Sequence, residues 1–68
     1  MTNIDAFLAF NEGKKIRLTT WVEHKWIQKQ YCDVFKVFQC INELNWACPN
    51  ELTYLIQPGN DGLWEVVE

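Results

Sequence analysis

At Gly13 the hydrophobic period of the chain changes, and no other feature constrains the fold as tightly. Before it, Ile4, Phe7 and Leu8 recur at helical spacing, flanked by Phe10. After it, Lys14 to Trp21 alternates. Ile16 and Leu18 point one way, and Lys15, Arg17, Thr19 and Trp21 point the other. Thr2 can cap the first segment, with Asp5 three residues on near the positive end of the helix dipole. Gly13 sits where a helix stops, because glycine tolerates the left-handed conformation found there. The spacing predicts a helix near residues 3–12, too short to stand alone and in need of a sheet to lie on.

The remaining segments supply that sheet. Lys25 to Cys32 reads as a strand that divides Ile27 and Tyr31 from Trp26, Gln28 and Gln30. Val34 to Ile41 reads as another, with apolar residues on both faces, so it should be central or covered by a second subunit. Asp33 is the only breaker between the two, and Tyr31–Asp33 is either a hairpin turn or a bend. Pro49 to Ile56 reads as a short helix: Pro49 suits the first position, Glu51 the positive end, and Leu52, Leu55 and Ile56 one face. Thr53, Tyr54 and Ile56 also suit a strand. Gln57 to Gly62 is a turn cluster, and Leu63 to Glu68 a closing strand. The expected class is α+β: an N-terminal helix packed on a small antiparallel β-sheet, with a short second helix before the C-terminal strand. Strands are expected near 14–21, 25–32, 34–41 and 63–68, all in a single domain, residues 1–68.

A chain of 68 residues buries only about 60% of its unfolded surface, so its core is marginal. Yet 49% of its residues are hydrophobic and four are tryptophan. That surplus, and the two-sided run Val34 to Ile41, predict a homo-oligomer. A net charge of −3 lacks the cationic footprint that nucleic acids require. No apolar run reaches the roughly 20 residues of a membrane span, and no basic-then-apolar leader opens the chain, so a cytoplasmic location is expected. His24, Cys32, Cys40 and Cys48 repeat every eight positions. Zinc sites gather ligands in closer pairs, so the expectation is three free thiols and no metal.

Catalysis finds no foothold. The chain contains no serine to partner its one histidine, and it has no glycine-rich phosphate loop with a following Lys-Ser/Thr. Glu43 and Glu51 fall in polar connecting segments. The chain is therefore expected not to be an enzyme and to use no cofactor. What remains is basic and aromatic. Arg17 can grip a phosphate or carboxylate with two parallel hydrogen bonds, and Lys15 adds a charge on the same strand face. Trp21 and Trp26, at opposite ends of the expected β-hairpin loop, could stack a base. Lys15, Arg17, Trp21 and Trp26 are thus the candidate ligand-binding residues. A structural role accounts for the same residues: strand-end tryptophans cap cores, and lysines on edge strands block aggregation.

The short helix, Gly13-Lys14-Lys15-Ile16-Arg17, Trp21, Trp46-Ala47-Cys48-Pro49 before Leu52, and the closing Trp64-Glu65-Val66-Val67 together carry a resemblance. They resemble the second Thoeris anti-defence family, tiny phage proteins that act as sponges for nucleotide immune signals. The usual pattern there is a helix, Gly-Lys-Lys-Val-Arg-Arg, a tryptophan, a Trp-x-Pro-Ser helix start and a closing Asp-Trp-Glu-Val. The likeness covers both ends and leaves Glu23 to Asn45 unmatched. Leu18 stands where a second arginine is common, Cys48-Pro49-Asn50 replaces a serine-containing turn, and Gln57 to Gly62 lengthens the approach to Trp64. The resemblance implies a helix on an antiparallel sheet, assembled as dimers or tetramers, with cyclic ADP-ribose-like or cyclic oligonucleotide signals bound between subunits. The first functional reading is a phage-type anti-defence protein in the host cytoplasm that sequesters a cyclic nucleotide immune signal without cleaving it. The alternative is a small protein–protein inhibitor or adaptor that occludes a host enzyme, with a host defence protein as its partner. A third reading is a structural subunit. On the first, Arg17 is the key contact: Arg17→Ala should weaken binding while barely moving the melting temperature, with Lys25→Ala as an inert control.

Overall fold

The computed structural model describes residues 1–68. The Thr2 hydroxyl accepts from the Asp5 N–H at 3.1 Å and starts helix α1 (Asn3–Asn11). Gly13 closes it in the left-handed region at φ 86°, its N–H donating to the Phe10 carbonyl. The helix is where the sequence placed it, but it lies on the sheet by another face. Ala6, Ala9 and Phe10 are buried, while Ile4, Phe7 and Leu8 face outward, Ile4 at 73% exposure. Two alanines allow the helix axis to approach the strands closely, and that packing outweighs the larger side chains on the other stripe.

The sheet has four strands: β1 (Lys15–Leu18), β2 (Ile27–Cys32), β3 (Val37–Asn42) and β4 (Trp64–Val67). Their spatial order is β3-β2-β1-β4, antiparallel throughout. Register pairs Ile16 with Ile27 and Val66, and Leu18 with Trp64. Ile16, Leu18, Ile27 and Trp64 join α1 and Leu55 in one buried cluster, and Val66 packs against it. The alternation read after Gly13 therefore holds for β1, with Ile16 and Leu18 inward and Lys15 and Arg17 on the far face. It stops at Leu18, where Thr19 and Thr20 turn the chain, three residues before the expected end.

Asp33 to Lys36 is a hairpin turn, with Lys36 at φ 57°, and Val34 and Phe35 sit at its tip rather than in a strand. The molecule measures 35 × 22 × 21 Å along its principal axes. Strand β3 is an edge and not a central strand. Successive Cys40 and Ile41 are both buried, so the two-sided burial is present at one end, where Ile41 bridges to Ala47. The chain itself covers that end and leaves Val37 and Phe38 open.

Pro49–Ile56 is a 3₁₀ helix, and a single 3₁₀ turn follows at Pro58–Asn60. With three residues per turn, Leu52 and Leu55 eclipse each other on the core side. Ile56, expected on their face, swings out to 80% exposure. Asn3 fastens the two ends of the fold together. Its Oδ1 accepts from Trp64 Nε1 at 2.7 Å, its Nδ2 donates to the Gln57 carbonyl, and its N–H donates to Asp61 Oδ1. No helix is long and apolar enough to cross a membrane.

Candidate functional site

On the sheet face opposite α1, register brings Lys15, Arg17, Gln28, Glu65 and Val67 together. Lys15 Nζ stands 4.7 Å from the centre of the Trp26 ring, an attraction between a cation and the negative face of an indole. The sequence singled out both residues, and the fold brings Lys15 of β1 into contact with Trp26, which immediately precedes β2. Beside them a shallow groove of about 520 Å³ is lined by Gly13, Lys14, Lys15, Gln28, Val66, Val67 and Glu68. Gln28 Nε2 donates to the Gly13 carbonyl at 2.7 Å and fixes the turn that presents the two lysines. Lys14 reaches Glu12 at 3.1 Å in an exposed ion pair. Such a pair contributes little and opens readily to another anion.

Arg17, expected as a ligand contact, is bonded within the fold. Its Nη1 donates to Glu65 Oε1 at 2.6 Å, its Nε to the Lys25 carbonyl, and its Nη2 to the carbonyls of Trp21 and Val22. Four of its five N–H groups are thus engaged, and its side chain is 17% exposed. The guanidinium clasps the β1–β2 connection onto β1 and β4, leaving one donor for anything else.

Trp21 does not extend the Arg17 face. Its ring meets Trp64 edge-on at 5.7 Å and Tyr54 at 5.6 Å, on the core side of the sheet. The turn at Thr19–Thr20 carries it there. Lys25, expected to be idle, lies 3.5 Å from Glu51 and 5.1 Å from the Trp21 ring. The candidate set therefore splits: Lys15 lines the groove and carries Trp26 against its ammonium, and Arg17 and Trp21 hold the loop between β1 and β2. Lys14 and Gln28 were missed. Lys14 lay in the quoted basic run, whereas Gln28 needed the hairpin register, which no local signal fixes.

Of the four residues at eightfold spacing, only two meet. Cys40 Sγ and Cys48 Sγ are 3.4 Å apart. Burial, followed by contact with the Cys48 thiol, pushes the Cys40 thiol far up. Burial also raises Cys48, opposed by the hydrogen bond from Cys40. Cys32 pairs with Val37 at the other end of β3, and His24 is exposed on the β1–β2 connection at φ 70°. All three thiols are free, and no group of three or more histidine, cysteine or acidic side chains is placed to hold a metal ion.

Compared with protein-family models, curated proteins and solved structures, the chain matches none.

Proposed function

We propose that this chain is a binding protein of the phage anti-defence type that sequesters a cyclic nucleotide signal without cleaving it. The single observation that carries the reading is the Lys15–Trp26 pair at 4.7 Å beside the Gly13–Lys15 groove. A phosphate needs a cation and exposed donors, and a base needs a flat apolar wall; the pair offers both within one ligand's reach. The groove volume falls within the roughly 300–1,000 Å³ of small-molecule sites. Lys14 and Lys15 supply phosphate contacts, Trp26 stacks the base, and Arg17 positions the loop that carries Trp26. The groove is open, so a second subunit would complete it, in line with the homo-oligomer expected from the sequence.

The test is thermal unfolding with and without a panel of cyclic nucleotides, including cyclic ADP-ribose isomers and cyclic dinucleotides. A ligand at 100 times its Kd stabilises the folded state by about 2.7 kcal/mol. A rise with one member of the panel, lost in Lys15→Ala, is expected. No rise with any member sinks the reading.

One observation favours the other reading, an inhibitor or adaptor that covers a host protein. Phe35 at 73% and Trp46 at 67% exposure, with Val34, Phe38, Leu44 and Ile56, leave large apolar side chains open to a partner. Co-purification of a host enzyme with the tagged chain, abolished by Phe35→Glu, would support it.

A further inference from the structure

Cys40 and Cys48 come from different segments and meet side by side. The Ile41–Ala47 bridge sets an antiparallel register in which Cys40 faces Cys48, and the Cys48 N–H donates to the Cys40 carbonyl at 2.9 Å. Facing residues of an antiparallel pair hold their Cα atoms about 4.5–5.5 Å apart, within the range that disulfides span. The sulfurs already touch at 3.4 Å. We propose that Cys40 and Cys48 form a reversible disulfide, a modification site that pins the start of the 3₁₀ helix to β3. Cys32 lies at the far end of that strand and takes no part.

Cys48 is the more open of the two, and Cys40 is buried. Either sulfur can donate in this contact. Burial raises both thiols and Cys40 by far the more, so the thiolate forms on Cys48 in preference, with the Cys40 contact and Lys25 supporting that charge and Glu51 and Glu43 opposing it. The oxidant is hydrogen peroxide. The Cys48 thiolate attacks one peroxide oxygen, the O–O bond breaks, and hydroxide takes up the thiol proton and leaves as water. Cys48 is then a sulfenic acid. Cys40 Sγ displaces the sulfenic hydroxyl, which leaves as a second water with the Cys40 proton. Two thiols and one peroxide give one disulfide and two waters, with two electrons passing from sulfur to oxygen. A small dithiol reverses the bond by exchange.

The bond would close the connection between β3 and the 3₁₀ helix. That helix carries Glu51 and Tyr54, which contact Lys25 and Trp21 on the β1–β2 connection. The latch therefore firms the segment that Arg17 clasps from the other side of the sheet.

The full chain is treated with hydrogen peroxide at neutral pH, alkylated and digested. There is no lysine or arginine after Lys36, so trypsin leaves both cysteines on peptide 37–68. That peptide should lose about 2 Da, resist alkylation, and remain joined after cleavage at Glu43. The melting temperature should rise by roughly 10 °C and return with dithiothreitol. Cys32→Ser should leave all of this intact; Cys48→Ser should abolish it. A peptide alkylated at both cysteines, or a bond to Cys32 or to another chain, overturns the proposal. The mass measurement on the unmutated chain decides even if a cysteine variant fails to fold.

Discussion

Arg17 Nη1 donates to Glu65 Oε1 at 2.6 Å across the β1–β4 pair, while the rest of the guanidinium holds three carbonyls of the β1–β2 connection. One side chain thus ties an edge strand, its neighbour and a long loop. Hydrogen bonds to charged groups contribute about 1.5–3 kcal/mol each when shielded, and less where water competes, as it does at half-exposed Glu65. Arg17→Ala should therefore cost about 2 kcal/mol and lower the melting temperature by roughly 10 °C. Arg17→Lys, which can keep the Glu65 pair but not the fork, should fall between. Unchanged melting of Arg17→Ala in a thermal scan would return the residue to the role expected from sequence.

The orientation of α1 is testable by size. Ala6 is fully buried against the sheet, so Ala6→Leu should overpack the core and cost about 1–3 kcal/mol. Ile4→Ser, on the open stripe, should leave monomer stability within about 0.5 kcal/mol. Chemical denaturation of the two variants reads this directly, and the opposite ranking would mean that the helix lies on its Ile4–Leu8 face.

Alkaline pH should weaken the fold in a stated direction. The Cys40 and Cys48 thiols are raised above the ordinary 9.0 by burial, so the folded state holds their protons more tightly than the unfolded chain does. Their contribution is complete below that value and is lost as pH rises above it. Denaturant midpoints of the reduced protein should fall above pH 9 more steeply than those of Cys40→Ala or Cys48→Ala. Parallel curves would show that neither thiol is protected.

Self-association should appear in light scattering at tens of micromolar as a multiple of the 8.1 kDa chain mass. The groove of about 270 Å³ lined by Asn3, Ile4, Phe7, Leu55 and Ile56, and the hairpin tip with Phe35, are the surfaces to challenge. Phe7→Glu with Ile56→Lys, or Phe35→Glu, should lower the mass without unfolding. A strict monomer of the unmutated chain contradicts the expectation and leaves the groove at Lys15 without a second wall.

The class and order of elements were legible because local signals agree: the Thr2 cap, the change of period at Gly13 and the turn cluster before Trp64. Faces and ends were harder. Ile4, Phe7 and Leu8 form as convincing a stripe as Ala6, Ala9 and Phe10, and only the approach distance to the sheet chooses between them. Val34 and Phe35 favour strands intrinsically, yet the turn closed by Lys36 at φ 57° takes them to the tip. For the site, alternation put Lys15 and Arg17 on the correct face, but nothing local revealed that carbonyls from residues 21–25 would fold back onto Arg17. Partner and register are tertiary facts.

The most direct measurement of the central claim is calorimetric titration of the panel of cyclic nucleotides into the unmutated chain, Lys15→Ala, Trp26→Ala and Lys36→Ala. Lys36 is exposed on the far hairpin turn and serves as the charge-matched control. One nucleotide should bind the unmutated chain and Lys36→Ala equally and be recovered uncleaved. Binding should weaken roughly tenfold or more in Lys15→Ala and Trp26→Ala, as loss of about 1.4 kcal/mol requires. No heat with any nucleotide, or equal affinity in all four proteins, would contradict the assignment of this face as a nucleotide site.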